Sequence, residues 1–194
     1  MHNQPSNNKT INPNKTKSIR NLGAIDIAEL KKEVLSISEN VWENETLTRE
    51  NNFKCFHDTQ HIIFRFPDDT TKRTIVNTNP SWWVWESRIM PLIQKAVEPY
   101  GYEKGEVKAV MLAKLKAGQG IDSHIDGLAE SYFLHKIHIP LKTNDQVKFF
   151  IKPNTYFLEE GIAYEVNNIL PHYVVNEGKE DRIHLIFEYH NPGF

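Results

Sequence analysis

The chain has 194 residues, a formal net charge of -2 and one cysteine, Cys55. This length suits a single domain with a sizeable core. The 23 Lys and Arg are balanced by 25 Asp and Glu, so the chain lacks the excess of positive charge by which proteins bind nucleic acid or anionic membranes. We therefore expect no nucleic-acid or membrane partner, and the lone cysteine excludes an internal disulfide and a cysteine metal site, which favours a reducing compartment.

The first 20 residues are rich in Asn and Lys and lack the apolar run of a secretory signal. No later stretch is apolar over the length that a membrane span requires. We therefore expect residues 1–20 to form a disordered tail, and residues 21–194 to form one domain of a cytoplasmic protein.

Two helices are predicted in the first part of the domain, residues 21–105, which supports the rest. Asp26 can cap the first helix, in which apolar residues recur at helical spacing over residues 27–41. The second has an apolar stripe over residues 89–97, and we expect Pro91 near its first turn, where the missing N–H costs no helical hydrogen bond.

The other segments are typical of β-strands. Residues 61–66 and 74–77 flank a turn-prone Pro-Asp-Asp sequence, which predicts a hairpin. Between residues 106 and 190, six more short runs are bounded by turn residues: 107–116, 132–141, 147–152, 161–166, 172–176 and 182–189. Short strands at this spacing indicate a sandwich or barrel. We predict a mainly β fold with supporting helices, a double-stranded β-helix of the jelly-roll type with its core at residues 106–190.

A possible metal site lies in this β half. Two imidazoles and one carboxylate can bind one face of an octahedral ion and leave the other positions open for chemistry, as in non-haem iron(II) oxygenases. His124 and Asp126 are two residues apart, so on a strand they share a side, and His172 begins another β run. An isolated His-x-Asp is common, and a solvated pair in a loop is the alternative interpretation.

Arg182 strengthens the metal hypothesis. Alternation along residues 182–189 places Arg182, His184, Ile186 and Glu188 on one side of the strand. An arginine directed into a barrel requires a carboxylate, and 2-oxoglutarate offers a distal one while its keto-acid end can chelate iron. The alternative is an ordinary surface arginine paired with Glu180 or Asp181.

The segments LKAGQGIDSHID, KIHIPL, EEGIAYEVNNILPHYVVNEG and DRIHLIFEY resemble the aspartyl/asparaginyl β-hydroxylase family, which includes hydroxylases of free proline. The resemblance covers about residues 107–189. It implies an iron(II)- and 2-oxoglutarate-dependent dioxygenase that uses dioxygen to hydroxylate an amino acid or an amino-acid residue, and that releases succinate and carbon dioxide.

The resemblance also implies roles for particular residues. His124 and His172 would bind iron, Arg182 would bind the distal carboxylate of 2-oxoglutarate, and Lys136 and His138 would lie near this co-substrate. A purely structural histidine is the alternative for His138.

Two positions depart from the family pattern. Some peptide-modifying members lack a carboxylate beside the first histidine, whereas this chain has Asp126, as the free-amino-acid hydroxylases do. Ala113 stands where those members can place a serine hydroxyl. The rival hypothesis is a non-catalytic jelly-roll module that binds a metal or a ligand, although a structural metal site has no use for a buried arginine beside it.

The substrate is expected to be a small zwitterionic or acidic molecule, or such a residue in a peptide or protein. We predict that it lies near Arg65, Trp83 and Trp85, because regular alternation places Arg65 on one strand face with His61 and Ile63. The alternatives are a surface ion pair of Arg65 with Asp68 or Asp69, and packing of all the tryptophans of residues 82–85 between helix and barrel.

Overall fold

The structure is a computed structural model, and it describes residues 12–47, 58–68, 75–126 and 132–192. Its α-helices are α1 Ala28–Leu35, α2 Glu39–Leu47 and α3 Trp82–Val97, followed by a 3-10 turn, Glu98–Tyr100. Its strands are β1 Ile19–Ala24, β2 Thr59–Pro67, β3 Val76–Thr78, β4 Glu106–Leu115, β5 Gly120–His124, β6 His135–Lys142, β7 Val147–Ile151, β8 Asn154–Tyr156, β9 Ile162–Val166, β10 His172–Asn176 and β11 Arg182–His190.

The strands form two antiparallel sheets. The larger has the order β1-β9-β6-β11-β4-β2-β3, and the smaller has the order β5-β10-β7-β8. From β4 to β11 the chain crosses repeatedly between the two sheets, with only the β7-β8 hairpin staying in one of them, as in a double-stranded β-helix. The predicted fold class is confirmed, and so is the predicted hairpin, which pairs β2 with β3.

The larger sheet has different surroundings on its two faces. On β11, Ile183, Leu185 and Phe187 belong to an apolar core that also contains Leu30 of α1 and Ile93 of α3. The opposite face of β11 bears Arg182, His184 and Glu188, all buried. The predicted alternation along β11 is therefore confirmed, and it gives the barrel an interior with polar and charged groups.

The smaller sheet covers the polar face of the larger one. A second apolar cluster contains Phe149 and Val174 of the smaller sheet, with Leu115, Tyr164 and Val166 of the larger one. The barrel interior is thus closed by apolar contacts at one side, while charged groups of β6 and β11 remain inside it. Burying each large apolar side chain stabilises the fold by roughly 1.5–3 kcal/mol.

Both helix predictions require correction. The first predicted helix is two helices, because α1 ends at Leu35, where the Ser36 hydroxyl donates to the Glu33 carbonyl at 2.7 Å. The second helix, α3, begins earlier than predicted, so Pro91 lies in its interior. Pro91 is on the exposed side, where water can bind the carbonyl that has lost its N–H partner.

The first segment of the structure differs from the predicted tail. Residues 1–11 lie outside the described residues, but residues 12–20 lie against the larger sheet. Ile19 pairs with Val166 of β9, and the buried Asn12 side chain is 3.1 Å from Nε2 of His135. An Asn- and Lys-rich composition gave no sign of this order, because it depends on polar contacts with distant strands.

Among the described helices, none has the length and apolar character needed to cross a membrane.

Candidate metal centre

The two predicted histidine ligands lie side by side on neighbouring strands. His124 is the last residue of β5 and His172 is the first of β10, and the antiparallel register pairs them directly. Their ring centroids are 4.3 Å apart. Strand β5 was not predicted, and Asp126 lies just beyond it, where its backbone N–H donates to the carbonyl of Asn168 at 2.9 Å.

Nitrogen and oxygen atoms of these three residues form a compact cluster. One donor atom from each of His124, Asp126 and His172 can be chosen so that all lie within 4.8 Å of one another. Nε2 of His124 is 3.7 Å from Oδ1 of Asp126. The structure therefore brings together the three residues that the sequence analysis predicted, in an arrangement that can hold one metal ion.

Hydrogen bonds orient both imidazoles for metal binding. Nδ1 of His124 is 2.8 Å from the carbonyl of Asp122, and Nδ1 of His172 is 2.9 Å from the carbonyl of Leu170. A carbonyl only accepts, so each Nδ1 must carry the proton and donate it. Nε2 then presents its lone pair toward the cluster, as in metal-binding histidines.

The protonation states also suit a cation. Burial lowers the pKa of His172 to about 4, although the neighbouring Asp126 opposes this shift. For Asp126, burial alone would raise the pKa, but the charge of Lys136 and the proximity of His172 lower it to about 2. At neutral pH the site therefore offers a neutral His172 and an ionised Asp126, the forms that bind metals.

Lys136 forms an ion pair with one of the metal-cluster residues. Its Nζ lies 2.6 Å from Oδ2 of Asp126, whereas the sequence analysis placed it near the co-substrate. Lys136 and His138 are two residues apart on β6 and so share the face that lines the barrel. Asp126 follows β5 of the other sheet, and alternation along β6 alone does not identify such a partner.

Arg182 is a buried cation. Its side chain is 2% exposed, and Nη2 donates to Nδ1 of His184 at 2.6 Å. Nε has no hydrogen-bond partner, and no carboxylate in the described part of the chain forms an ion pair with it. Burial lowers its pKa to about 9, so the guanidinium is still charged at neutral pH.

The proposed surface partners of Arg182 contact other groups. Oδ1 of Asp181 accepts the backbone N–H of Ala117 at 2.9 Å, and Oε2 of Glu180 is 3.7 Å from Nζ of Lys142. The alternative interpretation of Arg182 as a surface arginine is therefore wrong. A buried cation without a counterion is destabilising, so this position fits an anionic ligand.

A row of rings connects the metal cluster with Arg182. Phe149 stacks on His172 with ring centroids 5.8 Å apart, and its edge contacts His138 at 6.0 Å. The His138 ring is in turn 5.6 Å from that of His184. A cavity at the end of this row is lined by Arg182, His184, Phe149, Val174 and Thr143.

Arg65 does not join this site. Ile63 pairs with Met111 but Arg65 pairs with Val110, so a β-bulge interrupts the alternation that the prediction assumed. Arg65 is turned toward α3, and its guanidinium carbon lies 5.6 Å from the ring centre of Trp82. Of the alternative partners, Asp69 lies outside the described residues.

The tryptophans have separate environments. Trp82 is buried and Trp85 packs partly against the same core, where both contact Phe64. Trp83 is 72% exposed on the other side of α3. The alternative in which all the tryptophans of residues 82–85 pack between helix and barrel is therefore wrong for Trp83, and no described contact joins these tryptophans to the metal cluster.

Three residues near the site had no predicted role. Phe149 separates His172 from His138, and the Asn168 carbonyl holds the segment that carries Asp126. His61 pairs with Ala113 of β4, which pairs in turn with His184 of β11, so His61 lies on the barrel face of the sheet, where burial and the charges of Lys136 and Arg182 lower its pKa to about 4. Alternation along β2 was the available signal for His61, whereas Phe149 and Asn168 depend on tertiary contacts.

Comparisons with known proteins agree with this site. The family model described as aspartyl/asparaginyl beta-hydroxylase matches residues 26–192. A search of curated proteins gave no significant match.

Among solved structures, a 2OG-Fe(II) oxygenase family oxidoreductase from Burkholderia pseudomallei is similar over 90% of this chain and 84% of that chain, with 12% identity and a TM-score of 0.59. A Trichoplax adhaerens prolyl hydroxylase, solved with a hypoxia inducible factor peptide fragment, is similar over 92% of this chain and 86% of that chain, with 14% identity and a TM-score of 0.56. HygX from Streptomyces hygroscopicus was solved with nickel, 2-oxoglutarate and hygromycin B. It is similar over 91% of this chain and 84% of that chain, with 11% identity and a TM-score of 0.54. These likenesses show a shared fold.

Proposed function

Because the chain belongs to the aspartyl/asparaginyl β-hydroxylase family of iron(II)- and 2-oxoglutarate-dependent dioxygenases, we propose that it hydroxylates a free amino acid or an amino-acid residue and releases succinate and carbon dioxide. The observation that carries this proposal is the buried, unneutralised Arg182 in the same barrel as the His124, Asp126 and His172 cluster. A non-catalytic metal-binding module would keep no such cation in its interior.

In this proposal His124, Asp126 and His172 hold iron(II), which with 2-oxoglutarate and dioxygen supplies the oxidation of an unactivated C–H bond. Three ligands of this kind would leave other coordination positions of the ion open to the co-substrate and dioxygen. The protein would orient these ligands: Arg182 would bind the far carboxylate of the co-substrate, and the rings of Phe149 and His138 lie between the metal cluster and the Arg182 end of the barrel.

The proposed substrate class rests on charges near the metal cluster. Nζ of Lys136 lies 2.6 Å from Oδ2 of Asp126, and Glu188 of β11 is the direct neighbour of Lys136 across the strand pair. Groups of both signs therefore surround the cluster, which suits the ammonium and carboxylate of an amino acid. An ionised Asp126 also follows the pattern of the free-amino-acid hydroxylases. The predicted substrate roles of Arg65, Trp83 and Trp85 gain no support from their contacts.

Two structural relatives extend the range of substrates to be tested. The Trichoplax enzyme was solved with a peptide fragment and HygX with hygromycin B. A peptide or a small molecule is therefore the expected partner here.

The decisive experiment is a substrate screen with the iron-loaded protein. Free amino acids, including proline, aspartate and asparagine, and short peptides that contain them are incubated with 2-oxoglutarate and dioxygen, and succinate release is measured. We expect at least one amino acid or peptide to stimulate succinate formation, with a product 16 mass units heavier. Binding of iron without any turnover of 2-oxoglutarate would favour the non-catalytic module instead.

Arg182 gives a sharper prediction within the same assay. Replacing Arg182 with Ala should weaken 2-oxoglutarate binding by about 2–5 kcal/mol, or on the order of thirty- to several-thousand-fold, because the carboxylate loses its charged partner. Iron binding should be retained. The matched control is Arg88→Ala, which removes an arginine from an exposed ion pair with Glu33. Equal 2-oxoglutarate affinity in Arg182→Ala and wild type would remove the main support for the proposed function.

A further inference from the structure

His184 lies beside Arg182 in the barrel interior. Its side chain is buried, and Nδ1 lies 2.6 Å from Nη2 of Arg182. On the neighbouring strands His184 pairs with Ala113 of β4 and with Pro140 of β6, neither of which has a polar side-chain atom. The polar contacts of the imidazole are therefore on its Nδ1 side, where Nδ1 of His138 also lies at 3.4 Å, and its neighbours across both strand pairs are apolar.

The contact with Arg182 fixes the proton on the other nitrogen of His184. A guanidinium only donates, so Nδ1 of His184 must accept and carries no hydrogen. Burial and the adjacent Arg182 charge keep the pKa of His184 well below its usual value, so the ring is neutral at neutral pH. A neutral imidazole has one N–H, which must therefore be on Nε2.

This N–H has no acceptor within the described residues. Nε2 of His184 is buried without a hydrogen-bond partner, and so is Nε of Arg182. Both residues line the same cavity. Buried donors are almost always paired in folded proteins, so two unpaired donors on adjacent side chains indicate a ligand with at least two acceptor atoms.

We propose that Nε2–H of His184 and the guanidinium of Arg182 together bind the distal carboxylate of 2-oxoglutarate, one of them as a neutral donor and the other as the counterion. This inference rests on the proposed function and adds a specificity-determining residue to it. The neutral donor requires an acceptor at a fixed position, so His184 distinguishes a dicarboxylate keto acid from a keto acid that ends in a methyl group.

A purely structural role for His184 makes a different prediction. In that case the imidazole only positions Arg182 through Nδ1, and any side chain that keeps an acceptor there should bind 2-oxoglutarate normally. Asn at position 184 can keep an oxygen near Nδ1 but has no donor near Nε2. Gln can place an N–H near Nε2. The two substitutions therefore separate direct binding from positioning.

The test compares two keto acids on the full-length protein. Anaerobic calorimetry with the iron(II)-loaded wild type, His184→Asn and His184→Gln gives the Kd of 2-oxoglutarate and of 2-oxopentanoate, which lacks the distal carboxylate. Circular dichroism checks that each variant is folded. We expect His184→Asn to bind 2-oxoglutarate roughly 10- to 100-fold more weakly, the effect of one hydrogen bond to a charged group. Its affinity for 2-oxopentanoate should change little, and His184→Gln should retain most of the preference for 2-oxoglutarate.

Two results would overturn the proposal. The first is a ratio of the affinities for 2-oxoglutarate and 2-oxopentanoate that is the same in His184→Asn and wild type. The second is normal 2-oxoglutarate binding by His184→Asn together with weakened binding by His184→Gln, which would show that His184 only positions Arg182. Failure of the proposed function has a separate signature, because a wild type that binds both keto acids equally would remove Arg182 as the carboxylate partner and His184 with it.

Discussion

Asp126 gives its two carboxylate oxygens different neighbours. Oδ2 is 2.6 Å from Nζ of Lys136, whereas Oδ1 is directed toward Nε2 of His124 at 3.7 Å. This division leaves one oxygen to a metal ion and fixes the orientation of the carboxylate. Since the partners of metal-binding side chains tune affinity, we propose Lys136 as a residue that positions Asp126.

Replacing Lys136 with Met tests this role. The carboxylate should lose its orientation, and iron affinity should fall by about tenfold to a hundredfold. Anaerobic titration with iron(II) measures the change, and Lys136→Arg should recover part of it. Lys148→Met is the matched control, because Lys148 forms an exposed ion pair with Glu177 on the other sheet. Wild-type iron affinity in Lys136→Met would contradict the positioning role.

The histidine ligands give a prediction that requires no turnover. Saturating wild type with iron(II) at about 100 times its Kd should stabilise the fold by about 2.7 kcal/mol, and a chelator should remove this stabilisation. His172→Ala should abolish it, because a facial site has no spare ligand. Thermal melts with and without metal measure the effect. The control His190→Ala removes a histidine outside the cluster and should keep the metal-dependent shift.

Strand β11 forms both the core and the site, because it is central in the larger sheet and buried on both faces. Its apolar residues pack toward the helices, and its polar residues line the barrel. Rigid pairing with β4 and β6 fixes Arg182 and His184 where two neighbouring strands offer them no acidic partner. An unneutralised cation is tolerated there because the surrounding sheet is stable.

Strand β1 is held to the sheet by a buried carboxylate on β9. Glu165 is fully buried, forms an ion pair with Arg20 and lies 2.7 Å from Nδ1 of His135. Burial alone would raise the pKa of Glu165, but the bonds to His135 and the charge of Arg20 lower it. Glu165 is therefore ionised, and it ties residues 16–20 to the barrel.

Removing this carboxylate should destabilise the protein strongly. Glu165→Ala leaves buried partners unpaired, and we expect a loss of about 3–5 kcal/mol in the free energy of unfolding. Glu165→Gln should lose less, because an amide oxygen can still accept. Urea denaturation measures both, and Glu98→Gln in the exposed pair with Lys95 should change stability by no more than about 1 kcal/mol. A small effect of Glu165→Ala would show that β1 contributes little to the fold.

At the scale of the whole molecule, the barrel interior buries several neutral histidines. Burial lowers the pKa of His61 and His172 to about 4 and keeps those of His138 and His184 well below the usual value. An unfolded histidine binds a proton near pH 6.5. The unfolded chain therefore binds more protons than the folded chain between about pH 6.5 and pH 4, which destabilises the fold as the pH falls.

The metal-free protein should accordingly lose stability in acid. Its free energy of unfolding should be highest above about pH 6.5 and should fall down to about pH 4, by about 3 kcal/mol for each of His61 and His172. Urea denaturation in the presence of a chelator at several pH values measures this slope. His61→Gln should flatten it, since Gln does not titrate, whereas an equal slope in that variant would contradict the assignment.

Much of the site could be predicted because it depends on local patterns. Alternation along β11 identified Arg182 and His184 as neighbours on one face, and the spacing of His124, Asp126 and His172 identified the cluster. Side-chain direction repeats every two residues in a strand, so a face can be inferred from the sequence alone. The predictions of the helices and short strands were less accurate. Pro91 lies inside a helix although proline disfavours that position, and the residues of β5 have no strand-like pattern.

Local sequence patterns were enough to predict the class of fold, the faces of strand β11 and the residue types of a metal site. The contacts between distant segments could not be predicted in this way. These contacts join Lys136 of β6 to Asp126 just beyond β5, turn Arg65 toward α3 at a bulge in β2, and hold residues 16–20 to Glu165. Among the described residues they give Arg182 no carboxylate partner. Periodicity defines the direction of a side chain relative to its own strand, whereas a partner is set by register and packing between segments far apart in the chain.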